Sequence, residues 1–592
     1  MKKHLIVNKN YKHMKKLVIL FCTFLFSLVS CQKTFLDLDD LDSVTEVVYF
    51  DTPQDFIDAS NYFYRGLHSH QTVDGSGFDM ISDFGTELSA YVQDYGQGTN
   101  TISNADIYWR NGYNYLRKIN LLLDKAKEYP GDPAGIKESV ATANFFRAYE
   151  YFKLLQRFGG VPIVTETTYV DSEILLAQRN SRYEVVAQIL TDLDLAIASL
   201  PTTATGANTG KISKYAAIAF KSRVLLYEGT WEKYVGTTTD FEGSGTGNNS
   251  AAYIAEAVTS AKLVIDNGGY EIWNKNAQLN NLSYRWLFVL EDAKSNPGGF
   301  TKATNKEFII QSVFDFALKP AGGNFVQITF GRNSPTQKAL DMFSTLDGLP
   351  INKSSQFQGY VKQSDQFKNR DYRMVSDFGE QVLANGSQPI TALGGASLTN
   401  LSSQKFKTYN NYRATGTEGF NYPTLRYAEV LLTFAEALYE KDNTISDANL
   451  NISVNLVRAR AGIAPLTNAL VTANGLNMLD EIRRERTVEL YMENNNHWND
   501  LKRWGTAEKE LADDLIGYVI GGTEYETNPA LFNTTFAKFG FKNDYPSGKG
   551  PVKAMIIDPK SARQFSRKNY LWPIPSGQRL LNPNLKQNPG WN

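Results

Sequence analysis

Cysteine is nearly absent from this 592-residue chain: there are two, Cys22 and Cys31. The first falls in a segment expected to be removed, so neither a disulfide nor a cysteine nucleophile is expected, and stability must come from core burial. Histidine is scarce too, and beyond residue 31 only His68, His70 and His497 remain. His68 and His70 flank Ser69 at a spacing that can share a metal, but sequence places no acid beside them, so no metal is expected. There is no Walker loop, Gly-x-Ser-x-Gly elbow, metalloprotease His-Glu pair or dinucleotide fingerprint in its required context, so no cofactor is expected. Net charge is also small, −1 overall. All six lysines before residue 31 lie ahead of any acid, and without them 55 basic residues face 62 acidic ones, a net of −7. That balance argues against nucleic acid as a partner.

What is present begins with an apolar run. Lys15 and Lys16 precede Leu17 to Val29, which is short for a membrane span and ends in Leu28-Val29-Ser30-Cys31. The segment looks like a bacterial lipoprotein signal: residues 1–30 removed, Cys31 acylated, Met1 or Met14 the start. Several acyl chains, at about 0.8 kcal/mol per buried methylene, hold a protein to a bilayer without a spanning helix. Residues 31–52 then read as a tether, with Asp37, Asp39, Asp40 and Asp42 on a solvated linker.

The body is patterned for helices. Pro53 to Leu67 carries Phe56, Tyr62 and Phe63 among polar residues. Ala105 to Tyr129 repeats Trp109, Tyr113, Leu116, Ile119 and Leu123 at helical spacing. Ala143 to Phe158 is an aromatic stripe ending in Gly159-Gly160-Val161-Pro162, and Ser181 to Leu200 opens with Ser181 and Glu184 spaced as a capping box. Ser213 to Glu228 follows, then Ala251 to Asp266, for which sequence suggests no partner. About four hairpins of tetratricopeptide length are thus expected, without that repeat's strict consensus. Hairpins that cannot bury both faces alone must stack. Gly236 to Asn249, Lys294 to Asn305, Gly394 to Ser403 and Gly521 to Gly550 read as long polar loops.

Leu425 to Trp504 reads as three consecutive helices, the third run carrying Leu479 to Glu493 and then His497 to Trp504. Within it, Arg426-Tyr427-Ala428-Glu429-Val430-Leu431-Leu432, Val457-Arg458-Ala459-Arg460-Ala461-Gly462, Ile482-Arg483-Arg484-Glu485-Arg486 and Asp500-Leu501-Lys502-Arg503 resemble the C-terminal signature of the SusD/RagB family. Tyr570 to Pro575 and Asn582 to Trp591 resemble that family's C-terminus as well. The family usually has a glycine and an arginine after the Glu493 position, where this chain has Asn494, Asn495, Asn496 and His497. Glu485, Glu489 and Glu493 lie among Arg483, Arg484 and Arg486 at helical spacing, a pattern of ion pairs that orient helices rather than of a catalytic pair.

The resemblance implies a mainly α, SusD-like fold: tetratricopeptide-like hairpins forming a frame, with a loop-rich, irregular region against them. Residues 53–270 would form an N-terminal helical region and 271–592 a C-terminal region intertwined with it. It implies a non-catalytic, surface-exposed, outer-membrane lipoprotein that binds a glycan or peptide and hands it to a SusC-like TonB-dependent barrel. A surface glycoside hydrolase using an Asp/Glu pair, a peptide-binding relative and an acylated binder of another fold are the alternatives. Sugar rings need an aromatic platform with a polar fringe. The expected ligand residues are Tyr91, Gln93, Asp94 and Tyr95, in a loop where the family places part of its site, with Trp273, Tyr284, Trp286 and Phe300.

Overall fold

The structure is a computed structural model and describes residues 49–70, 83–203, 209–321, 334–379, 399, 401, 403–408, 413–414, 416–528 and 539–591. Cys31 and the Gln32 to Val44 tether lie outside the described residues, as does most of Gly394 to Ser403.

Local chemistry starts the helices. Helix α1 (Pro53–Phe63) opens with a Thr52–Asp55 capping box and proline in its first turn. In α2 (Ile107–Glu128) the Asp106 carboxylate accepts the amides of Tyr108 at 2.8 Å and Trp109 at 3.2 Å. α3 (Lys137–Phe158) ends at the glycine pair, and α4 (Arg182–Ser199) begins with the expected box: Glu184 N–H donates to Ser181 Oγ and Ser181 N–H to Glu184 Oε2. α5 (Lys214–Tyr234) and α6 (Ser250–Asn267) follow. α3 is buried on almost every side, packed against α1, α2 and α4. The partner that sequence did not suggest for α6 is α7 (Tyr427–Asp442), some 160 residues later, together with α5. The hairpins stack into one frame around one dominant apolar cluster.

After α7 the chain forms α8 (Val454–Ala461), α9 (Met478–Glu489) and α10 (Asn496–Arg503). Gly462 closes α8 at φ 70°, and a Cβ there would lie 2.1 Å from the Tyr372 ring, so only glycine fits. The third helix read from sequence is in fact two, because Met492, Asn494 and Asn495 take left-handed φ of 59°, 52° and 53° between α9 and α10. Asparagine tolerates that region, so the departure from the family's glycine is a chemically acceptable substitute.

Two small sheets tie the irregular region to the frame. β1 (Phe308–Ser312) pairs antiparallel with β2 (Tyr422–Arg426), which leads directly into α7. β3 (Leu515–Val519) pairs with β5 (Gly550–Asp558), which also pairs with β4 (Phe541–Ser547). β4 and the start of β5 occupy sequence read as open loop, because Lys542, Asn543 and Asp544 follow an exposed Phe541 and leave little apolar alternation. Leu515 and Tyr518 pack with Ala90 on one side of this sheet, Ile516 and Val519 with Ile351 and Phe357 on the other. Among the described residues no helix is long and apolar enough to cross a membrane.

Candidate ligand site

The acids and arginines of the signature stretch form a buried charge lattice. Glu489 accepts from Arg426 and from Arg373 at 2.8 Å, and pairs with Arg460. Glu493 joins Arg426 at 2.8 Å and Lys405 at 2.6 Å, while Glu307 takes Arg426 at 2.8 Å and Arg460 at 2.7 Å. Glu485 lies between Arg373 and Arg458, and Asp371 holds Arg373. Every member is at most 3% exposed. Burial alone raises the Glu489 carboxyl, but the guanidiniums of Arg460, Arg426 and Arg373 outweigh it and hold the group well below the usual range. A second set joins Glu436 to Arg503, and Asp500 to Arg486 and Arg503; there too burial is outweighed, and Glu436 is held down to about 2. Glycoside hydrolysis needs one accessible carboxyl with a raised pKa beside a second of different environment. These carboxylates are enclosed and held in salt bridges, so their geometry is that of a frame holding α7, α8 and α9 together.

Other buried carboxyls go the opposite way. Burial lifts Asp83, whose Oδ2 accepts the Met492 amide at 2.6 Å, to about 6, and lifts Asp377 to about 7. Each keeps a proton in the folded state that the unfolded chain has lost, so stability falls as pH rises from about 4 through those values. His497 adds to the same slope. Burial lowers it, but Glu87, 2.9 Å from Nε2, outweighs burial and raises it, so its contribution too is lost as pH rises past 6.5. The expected result is a higher melting temperature at pH 5 than at pH 8, with Asp377→Asn flattening the difference. An opposite order would mean that these three groups do not set the slope.

His70, one half of the two-histidine spacing, is enclosed by Phe314, Phe420 and Tyr422, with Nε2 3.0 Å from the Phe420 carbonyl, and burial pushes it down to about 3. Among the described residues no group of three or more His, Cys, Asp or Glu is placed to hold a metal.

The eight aromatic and polar residues expected to bind ligand do not come together. Trp273, Tyr284 and Trp286 are 2–4% exposed inside the second apolar cluster. The Trp273 indole donates to Thr304 Oγ1 and the Tyr284 hydroxyl to the Glu489 carbonyl, so both rings serve the core and offer no face to solvent. Phe300 is half-buried, edge-on to Trp273. Tyr95 turns inward against Trp498 and Trp572, and its hydroxyl donates to the Phe84 carbonyl. That leaves Tyr91 and Gln93, half-buried, and Asp94, exposed. Their loop is held from below: Ala90 N–H donates to the Ser334 carbonyl, Thr336 Oγ1 to the Glu87 carbonyl, and Gln97 to Asp558. The Tyr91 ring leans on Phe84 at 4.5 Å between centroids.

Glu87, at the foot of this loop, also lines an open cleft of about 500 Å³ between α9 and the three-stranded sheet. Tyr545 and Tyr360 hydroxyls donate to Asp341 there at 2.7 and 2.9 Å, and Lys542, Asn352 and Ser547 add further directional groups. Sequence reasoning missed this cleft because about 200 residues separate Asp341 from Tyr545 and neither sits in a motif.

Stacked hairpins with a polar cleft on their irregular side define a tetratricopeptide-like binding body. A family model described as "SusD family" matches residues 310–591, and one described as "Starch-binding associating with outer membrane" matches residues 35–226. The chain belongs to the SusD/RagB family, among proteins described as associated with the outer membrane. A SusD-like protein of Formosa agariphila is 24% identical over 513 residues, 83% of this chain and 91% of its own. A SusD-like carbohydrate binding protein of Bacteroides fragilis superposes with TM-score 0.68 at 21% identity, over 91% of this chain and 99% of that one. Surface glycan-binding protein A of Bacteroides fluxus does so with TM-score 0.56 at 17% identity, over 91% and 99%.

Proposed function

We propose that this protein is a non-catalytic glycan-binding subunit of a TonB-dependent uptake system, lipid-anchored through Cys31 to the outer membrane and facing outward. A SusC-like barrel is its partner, over which the body sits as a hinged lid. Import energy belongs to that barrel complex. The observation that carries the reading is the family match over both halves of the chain, 35–226 and 310–591. The names of the carbohydrate-binding and glycan-binding relatives support the ligand class, and the full occupancy of the lattice carboxylates supports binding without turnover. Ligand contact is assigned to Tyr91, Gln93 and Asp94, with the polar cleft beside Glu87 as its continuation.

Calorimetry on the soluble chain from Gln32, against polysaccharides, oligosaccharides and peptides, tests this when product release is followed in the same samples. Saturable glycan binding without product is expected. Steady product release abolished by changing one carboxylate would replace the binder with a hydrolase, and saturation by peptides alone would change the ligand class.

A further inference from the structure

The cleft between α9 and the three-stranded sheet carries more negative charge than its own cations meet. Among the described residues its wall holds five carboxylates, Glu87, Asp341, Glu510, Asp513 and Asp514, against three cations, Lys338, Arg484 and Lys542. Each lysine is shared between two of the acids. Lys338 lies 2.5 Å from Glu510 and 3.7 Å from Glu87, and Lys542 lies 2.8 Å from Asp513 and 3.5 Å from Asp514. Arg484 is held by Glu481, which is not part of the wall. The exposed Lys560 adds a further positive influence on Asp513.

Two acids are left short. Asp341 sits three residues after Lys338 on the Gln337–Met342 helix, so both face the cleft. Its oxygens accept from the Tyr545 and Tyr360 hydroxyls at 2.7 and 2.9 Å and from Gln337 Nε2 at 2.9 Å, all neutral donors. Arg370 acts on it from the core but spends its protons on the carbonyls of Leu340, Phe343 and Gln366. Burial accordingly holds the Asp341 carboxyl above its usual range. Glu87 is 4% exposed; its Oε1 lies 2.9 Å from His497 Nε2, while its Oε2 has no hydrogen-bond partner among the described residues. Burial alone raises Glu87, but His497 and Lys338 outweigh it and hold the carboxyl down to about 2, so that oxygen carries charge. A charged buried oxygen without a donor is costly, and this one belongs to the cleft wall.

A group that brings positive charge and several donors at once meets both deficits. A metal ion does not fit, because among the described residues no three acids converge closely enough to hold one. A primary ammonium does, with one charge and three N–H donors on a single atom. On a sugar ring it stands among hydroxyls, for which the exposed Asn352 offers an amide that both donates and accepts. A uronate or a sulfated ring brings negative charge to a wall already in excess and is repelled.

We infer that the cleft is an amino-sugar subsite: it takes a glycan bearing free amines, turns a ring ammonium toward Asp341 and Glu87, and rejects acidic rings. Asp513 and Asp514 add to the field that draws the ammonium in. This subsite presupposes the glycan-binding reading and narrows its ligand class.

Calorimetry on the chain from Gln32 tests it at about pH 6, where amines hold their proton and ordinary carboxyls have lost theirs. The probes are a glucosamine oligosaccharide, its N-acetylated counterpart, an oligogalacturonate of the same length, and oligolysine. The glucosamine oligosaccharide is expected to bind at least about ten-fold tighter than the N-acetylated form, with oligogalacturonate weakest. Asp513→Asn combined with Asp514→Asn should remove most of that preference. Asp513 is exposed and Asp514 half-buried, so the double variant should melt with the parent, and melting is measured alongside. If it melts lower, Asp341→Asn, of nearly the same shape, carries the same comparison. Equal affinity for the amine and N-acetyl forms, or tighter binding of oligogalacturonate, overturns the amino-sugar subsite and leaves the glycan-binding reading standing. A preference untouched by the folded variants lies outside this cleft and overturns it equally. Binding of oligolysine alone, with no glycan bound, overturns both the subsite and the reading beneath it in favour of a cationic peptide.

Discussion

Glu489→Gln lowers the unfolding free energy by about 3–5 kcal/mol, the range for removing one partner of a buried ion pair. The reason lies in a count of charges. Glu307, Asp371, Glu485, Glu489 and Glu493 face Arg373, Lys405, Arg426, Arg458 and Arg460, five of each sign in direct contact. Neutralising Glu489 leaves one cation uncompensated among groups that water does not reach, and it strips Arg426, Arg373 and Arg460 of a shared acceptor. The shift is read from the urea midpoint. Glu271→Gln, which breaks the exposed pair with Lys306, serves as control and should move stability by no more than about 1 kcal/mol. Equal shifts for the two variants would mean that the lattice is solvated and does not hold α7, α8 and α9. Changing Glu489 and Arg460 together to methionine should recover part of the loss, since it removes opposite charges while keeping volume.

The second large effect separates the Tyr91 loop from the aromatic residues that sequence grouped with it. Tyr91→Ala combined with Gln93→Ala should weaken glycan binding roughly ten-fold, about 1.4 kcal/mol, with the melting temperature unchanged. Both side chains are half-buried on a loop whose backbone is held by Ala90, Thr336 and Gln97, so their removal leaves its supports intact. Trp273→Ala should do the reverse, costing about 3–5 kcal/mol of stability as a core cavity forms while the folded fraction keeps its affinity. The two variants are compared by calorimetry and thermal melting on the same ligand. Unchanged affinity in the loop variant would remove Tyr91 and Gln93 from the site and leave the Asp341–Tyr545 cleft to carry the ligand.

Local and periodic features of this protein were legible in its sequence. The Ser181–Glu184 box, the aromatic stripe of α3 and the stop at Gly462 rest on interactions within a few residues, and each appears where the sequence places it. The reading of Glu485, Glu489 and Glu493 as ion-pairing groups follows from their spacing among arginines, although their partners Arg373, Lys405, Arg426, Arg458 and Arg460 come from elsewhere in the chain. What only the tertiary structure decided was long-range. The pairing of α6 with α7 depends on complementary faces some 160 residues apart, which no local pattern specifies. Whether an aromatic residue in an irregular stretch faces water or core is also a matter of what folds over it. Trp273 and Tyr284 turn inward because Thr304 and the Glu489 carbonyl wait there for their polar atoms, while Tyr91 is only half-buried, at the edge, and its hydroxyl has no such partner among the described residues.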